Sequence, residues 1–262
     1  MKARSPAHDK TSIPVKTRLS SLLPLSPRLG GPLLAIASLL TLAACAPVQP
    51  ALPHVGRAQL ELPPGDWEVL GRRDEVIDVL PDDTSADLPT QMTAMGLRGP
   101  GKDRPLLAVL LVQTNSTNYP RDTTLWTAPC PQQQGVFVED KAQGSPARID
   151  CLRYKRRADT EDYLAKNRPA VAQWLSMNQA APTKPYSHVF FRYATNGGAI
   201  VTIDALVDQR LVRPPTRDNE AFLRAGRPAL EWGDKMAQAA RLSTAMMDGR
   251  LIVPPFPIAP PQ

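Results

Sequence analysis

An α+β domain is the fold this sequence predicts: an antiparallel sheet packed against two helices on one side, with a Pro-rich tether before it and a Pro-rich tail after it. Three observations carry that prediction. Leu106-Leu107-Ala108-Val109-Leu110-Leu111-Val112 is a continuous apolar run of strand length, suited to a central strand buried on both faces. Val189–Tyr193, the turn residues Asn196-Gly197-Gly198, and Ala199, Val201, Ile203, Ala205 and Val207 at alternate positions read as a hairpin. Apolar residues at helical spacing precede and follow that hairpin, so the order is strands, helix, hairpin, helix. Such an order segregates the strands from the helices and does not alternate them, which is the α+β pattern.

The first 44 residues are set apart by charge. The whole chain carries a formal net charge of +6. Lys2, Arg4, Lys10, Lys16, Arg18 and Arg28 stand against Asp9 alone in residues 1–44, a net +5, which leaves +1 for residues 45–262. A domain so close to neutral has no electrostatic footprint for nucleic acid. After Arg28 comes an apolar stretch, Pro32 to Ala44, too short for a membrane span of roughly 20 apolar residues. A basic region, a short apolar core and small residues at its end make a secretory signal. Leu42-Ala43-Ala44-Cys45 at that end resembles the bacterial lipobox. The resemblance implies cleavage before Cys45 and a diacylglyceryl group on its sulfur, with further acylation common at the new amino terminus. More than one chain is needed because a single acyl chain binds a membrane only marginally. Ala46 stands where lipoproteins kept at the inner membrane often carry aspartate, so the resemblance favours the outer membrane, facing the periplasm. The partner expected first is therefore the membrane, through Cys45, and after it another envelope protein.

Residues 45–64 hold five prolines and little charge and are expected to form an extended tether. A single domain over 65–253 follows. Asp66–Leu70 opens it as a strand, and Thr123–Trp126 and Val136–Val138 are shorter strand candidates. In Ile149–Tyr154, alternation puts Ile149, Cys151 and Arg153 on one face and Leu152 and Tyr154 on the other. Once Cys45 is assigned to the anchor, Cys130 and Cys151 remain. An even pair in an exported domain reads as a disulfide. A redox motif would need closer spacing, and a metal site would need more thiols or histidines than His54 and His188.

Thr160-Glu161-Asp162-Tyr163 starts the first helix, capped by Thr160 or Asp159, with Tyr163, Leu164, Val171, Trp174 and Leu175 on its buried side. Pro169 interrupts it and restarts it as an amino-terminal proline. In the hairpin, Thr202, Asp204 and Asp208 are expected to point away from the core, leaving the pair half exposed. The second helix lies within 217–248, broken or restarted near Gly226 and Pro228, with Trp232, Met236, Ala240, Met246 and Met247 on one stripe. Residues 254–262 read as a stiff proline-rich tail running into solvent.

In element order the domain resembles PsbP-like domains, in generic features only: the Asp66-Trp67 opening, the hairpin at Asn196-Gly197 and the closing helix with Trp232. That resemblance implies no functional residue. Phosphate-binding and nucleophile-elbow motifs are absent. Gly96-Leu97-Arg98-Gly99-Pro100-Gly101 reads as a loop, and Asp82, Asp83 and Asp87 as a solvated acidic turn without the calcium pattern. Arg153, Lys155, Arg156 and Arg157 form a basic run that reads as a charged strand end, or as a face toward anionic headgroups. His188 is expected on the surface or a strand edge, dispensable because sequence neighbours supply neither carboxylate nor nucleophile. No catalytic residue, metal ligand or cofactor site is therefore assigned. Three functions compete: a non-catalytic envelope binding or assembly module, a carrier of an apolar ligand in a sheet–helix groove, and a hydrolase whose site assembles from distant residues. An empty apolar cavity would favour the carrier.

Overall fold

The computed structural model describes residues 52–80, 88–117, 123–127, 130, 139–160, 162–224, 227–245 and 249–261. In chain order, the first strands are β1 (His54–Val55), β2 (Ala58–Glu61), β3 (Asp66–Ile77), β4 (Val79–Leu80), β5 (Leu88–Arg98) and β6 (Leu106–Asn115). They are followed by β7 (Leu125–Trp126), β8 (Glu139–Ser145), β9 (Arg148–Lys155), α1 (Tyr163–Asn167), α2 (Pro169–Met177), β10 (Tyr186–Ala194) and β11 (Ile200–Asp208). The described chain closes with α3 (Gln209–Val212), α4 (Asn219–Arg224), α5 (Arg227–Ala245) and β12 (Arg250–Ile252).

Seven strands form one sheet in the order β3-β5-β6-β11-β10-β9-β8, with every neighbouring pair antiparallel. The apolar run at Leu106–Val112 lies in β6, buried from Leu106 to Val112, as expected of a strand covered on both faces. The hairpin also forms as read. Thr195 to Ala199 closes it, Gly198 takes φ +82°, and the Asn115 amide holds the turn by donating to the Gly198 carbonyl and accepting from the Ile200 N–H. Glycine meets that positive φ without the Cβ clash other residues suffer.

Antiparallel sheet with helices holds, but the two helices lie on opposite faces and not on one side. On one face α5 buries Trp232, Met236 and Ala240 against Leu152, Val189, Phe191, Ile203 and their neighbours. On the other, α1 and α2 bury Tyr163, Val171 and Trp174 against Ala94, Val109, Leu111 and Leu206. The reason is in the central strands: β6 and β11 are apolar on both sides, so each side needs a cover. The hairpin is correspondingly not half exposed. All nine residues of β11 are buried, Thr202, Asp204 and Asp208 among them.

Pro169 does restart the first helix, at position N1 of α2 after Arg168 breaks the helical angles with φ −140°. The residue capping α1 is neither Thr160 nor Asp159 but Asp162, in the left-handed region at φ 52° and without a side-chain capping bond. Gly96, Leu97 and Arg98 belong to β5, and only Gly99, Pro100 and Gly101 of that run lie beyond the strand.

The expected tether is partly folded. β1 and β2 form a three-stranded sheet with β12, and Val55 and Leu60 are fully buried beneath α5's face of the large sheet. Gly56 permits it: at φ +52° its ideal Cβ would sit 2.1 Å from the Asn115 carbonyl oxygen, so only glycine lets the chain pass there. The proline tail likewise returns to the body. Phe256 stacks on Trp232 and Trp67, with centroids 5.3 and 6.3 Å away, and the Trp232 indole N–H donates to the Pro254 carbonyl at 3.0 Å. An apolar aromatic in mid-tail makes burial there more favourable than exposure.

Cys130 and Cys151 are joined as a disulfide, Cα atoms 6.0 Å apart, which ties the segment after Trp126 to β9. Cys151 lies in a third apolar cluster, with Trp126, Ile149, Phe190 and Ile200, on the α1–α2 face of the sheet. Cys45, the signal, the acidic turn at Asp82, Asp83 and Asp87, the Val136–Val138 strand, and Met246 and Met247 lie outside the described residues.

Candidate functional site

Two places on the sheet hold unusual side chains, one on each face. Under α1 and α2, β11 presents Asp204 and β10 presents His188. Registers of His188 with Leu206 and Phe190 with Asp204 set the two side chains diagonally on one face. His188 Nε2 lies 3.0 Å from Asp204 Oδ1, and Nδ1 lies 3.4 Å from the Tyr163 hydroxyl. Arg168, released from helical geometry between α1 and α2, turns its guanidinium down to Asp204 and donates two bonds of 2.8 and 2.6 Å. It also covers the Phe190 ring at 4.5 Å.

Burial alone would push the Asp204 carboxyl up. The Arg168 charge and the bonds from His188 and Arg168 outweigh it and hold the group at about 2. An ionised Asp204 means that Nε2 carries the proton between them. Farther along the same face, burial and the nearby Arg168 lower Arg192 to about 10. Tyr163, His188 and Asp204 are 1%, 1% and 3% exposed. A cavity of about 70 Å³ beside it, edged by Arg73, Glu75, Gln113, Thr202 and Asp204, has room for one or two waters. His188 is thus neither on the surface nor at an edge. It has the orienting carboxylate that sequence neighbours did not supply, but Tyr163 stands where a substrate would have to be. The arrangement is a buried clamp between helix and sheet.

The opposite face carries an opening. Between β8, β9 and β10 and the first turns of α5 lies a cleft of about 300 Å³, lined by Leu152, Tyr154, Val189, Ala229, Leu230 and Gly233. That volume is at the lower end of small-molecule sites. Strand alternation aims Leu152 and Tyr154 into it, as the sequence reading of β9 anticipates, and Val189 is Tyr154's register partner. Gly233 keeps it open from the helix side. A Cβ there would meet only Val189 Cγ1 at 3.6 Å and Leu152 Cδ1 at 3.7 Å, ordinary contact distances. Glycine in a helix interior costs about 1 kcal/mol relative to alanine, so this position gives up stability and leaves space. Lys141 spans the mouth, its Nζ donating to both Asp234 oxygens at 3.0 and 2.9 Å.

Met236, the one methionine of the stripe among the described residues, does not line this cleft and is fully buried in the core. Gly233, Lys141 and Asp234 were missed by sequence reading, although the helical spacing that placed Trp232 and Met236 inward also puts Gly233 next to that stripe. Arg153, part of the basic run, is buried, while Arg156 and Arg157 are exposed. His54 is exposed in β1. Among the described residues, no group of three or more His, Cys, Asp or Glu could hold a metal, and no helix is long and apolar enough to cross a membrane. Compared with family models, curated proteins and solved structures, the chain matches none.

Proposed function

We propose that this chain is a lipid-anchored envelope protein that works by binding, not by catalysis, and that the cleft between the sheet and α5 takes a small apolar ligand. The observation carrying the reading is the cleft itself, walled mainly by apolar side chains between sheet and helix. A glycine in mid-helix holds it open where alanine would fit and stabilise. The inaccessible setting of His188 adds support, because the group best suited to acid–base work near neutral pH is committed to Asp204 and Tyr163. Export and anchoring rest on the signal ending at Cys45.

The test is extraction. Full chain is purified from its native envelope, and non-covalent small molecules are extracted with organic solvent and identified by mass spectrometry. An apolar compound should accompany wild type in near-stoichiometric amount and be lost from Gly233→Leu, whose side chain fills the cleft. Equal extracts from both proteins, with equal melting temperatures, would defeat the reading.

A further inference from the structure

The chain enters the folded body at the small sheet. β1 lies over β5 and β6, beside α5, which covers β9, β10 and β11. The inward side chains of the three short strands, Val55, Leu60 and Leu251, are fully buried. Register sets the outward side chains in two rows. One row crosses His54, Gln59 and Arg250. The Leu60 N–H donates to the Pro53 carbonyl at 2.8 Å, which carries the β1–β2 pairing back by one residue. Leu52 therefore falls level with Glu61, and Ile252 pairs with Glu61 from the other side. In this second row Leu52 is 41% and Ile252 50% exposed. The Glu61 carboxylate between them meets the Arg250 guanidinium of the first row at 3.5 Å, so the charges on the face cancel. A single exposed apolar residue is ordinary on a protein surface, but these two share one row at the point where the tether arrives. Six residues separate Leu52 from Cys45. At full extension a chain of that length reaches about 25 Å.

We infer that the outward face of β1, β2 and β12 docks on the lipid surface, with Leu52 and Ile252 entering the boundary between headgroups and acyl chains. The inference rests on the anchor reading above and adds an orientation to it. Apolar side chains of surface-bound segments sit at that depth, with polar ones left among the headgroups. Docking is intramolecular once Cys45 is held in the bilayer. A tether this short keeps the face at high effective concentration, so a weak apolar contact is enough to decide which way the body points. Because the charges on the face cancel, the contact is apolar, and salt should not weaken it as it weakens attraction to anionic lipid.

The experiment uses the full chain purified from its native envelope and reconstituted in phosphatidylcholine vesicles. Ile252→Cys and, separately, Met177→Cys carry an environment-sensitive fluorophore. Met177 is 64% exposed at the end of α2, on the opposite face of the large sheet, and serves as the control. The label at 252 should shift to the blue, be quenched by spin-labelled lipid, and be quenched by aqueous iodide several-fold less than the label at 177. These differences should persist at high salt, and Leu52→Asp should restore iodide access at 252. Should Ile252→Cys melt early, Leu52→Cys carries the label in its place, with Ile252→Asp as the disrupting change. Equal iodide quenching at the two positions, with acyl groups found by mass on the Cys45 peptide, would overturn the docking and leave the anchor standing. A Cys45 peptide without acyl groups would remove the anchor reading and the docking with it. Protection of 252 in native envelopes but not in lipid vesicles would give this face to an envelope protein and overturn the docking on lipid.

Discussion

At the scale of single residues, Asp204 and Arg168 are the pair on which the α1–α2 side depends. Asp204 has 5% of its side chain exposed and Arg168 24%. Removing the cation leaves a carboxylate buried without its main partner, a change that destabilises by roughly 3–5 kcal/mol in comparable cases. Arg168→Ala should therefore lower the midpoint of urea unfolding far more than Arg224→Ala, whose pair with Glu220 is exposed on both sides. The same pair sets a pH dependence. Asp204 is held below the ordinary carboxyl value, so its contribution is complete above about pH 4 and is lost as pH falls toward about 2. Unfolding free energy should drop by on the order of 2 kcal/mol more over that window in wild type than in Asp204→Asn. His188 and Asp204 were legible as residues but not as partners. Their meeting depends on hairpin register, five residues of turn from Thr195 to Ala199, and a one-residue change in register would have sent Asp204 to the other face.

At the scale of elements, α5 carries a conflict between stability and space at Gly233. Gly233→Ala should raise stability by about 0.5–1 kcal/mol, since a helical glycine is replaced and the new methyl meets only ordinary contacts. The same substitution should weaken retention of apolar ligand, and thermal melts paired with ligand extraction would show the two moving in opposite directions. The disulfide acts on another element. Cys130 and Cys151, 21 residues apart, restrain the unfolded chain by about 3 kcal/mol. Reduction should lower the melting temperature, and non-reducing peptide mapping should find the two cysteine peptides joined. β6, β9, the hairpin and the break at Pro169 were legible because each has a local signature: an apolar run, alternation, a glycine turn, a proline. The face chosen by each helix has no local signature. It follows from the central strands being apolar on both sides, a condition the run at 106–112 already contained.

For the whole molecule, the anchor is tested apart from the fold. With a clickable fatty acid supplied to cells, label should appear on wild type and vanish in Cys45→Ser, and equal labelling would refute the lipobox reading. Proline-rich ends were the least legible regions. Proline excludes helix and weakens strand, so composition argues for extended chain. It does not reveal that Val55, Leu60 and Phe256 among those prolines find apolar partners far along the sequence. One product of that folding has a mechanical consequence. β2 near the start of the described chain and β12 near its end run parallel and side by side, Gln59 opposite Arg250 and Glu61 opposite Ile252. A pull on the leading end against the trailing end would slide these strands past each other lengthwise, loading their hydrogen bonds together and not one after another. Tension entering at Leu52 would thus be shared between this short seam and the bonds that tie β1 and its turn to the large sheet, from Thr93 to the His54 carbonyl, from Gly56 to Gln91 and from Arg57 to the Asn115 carbonyl.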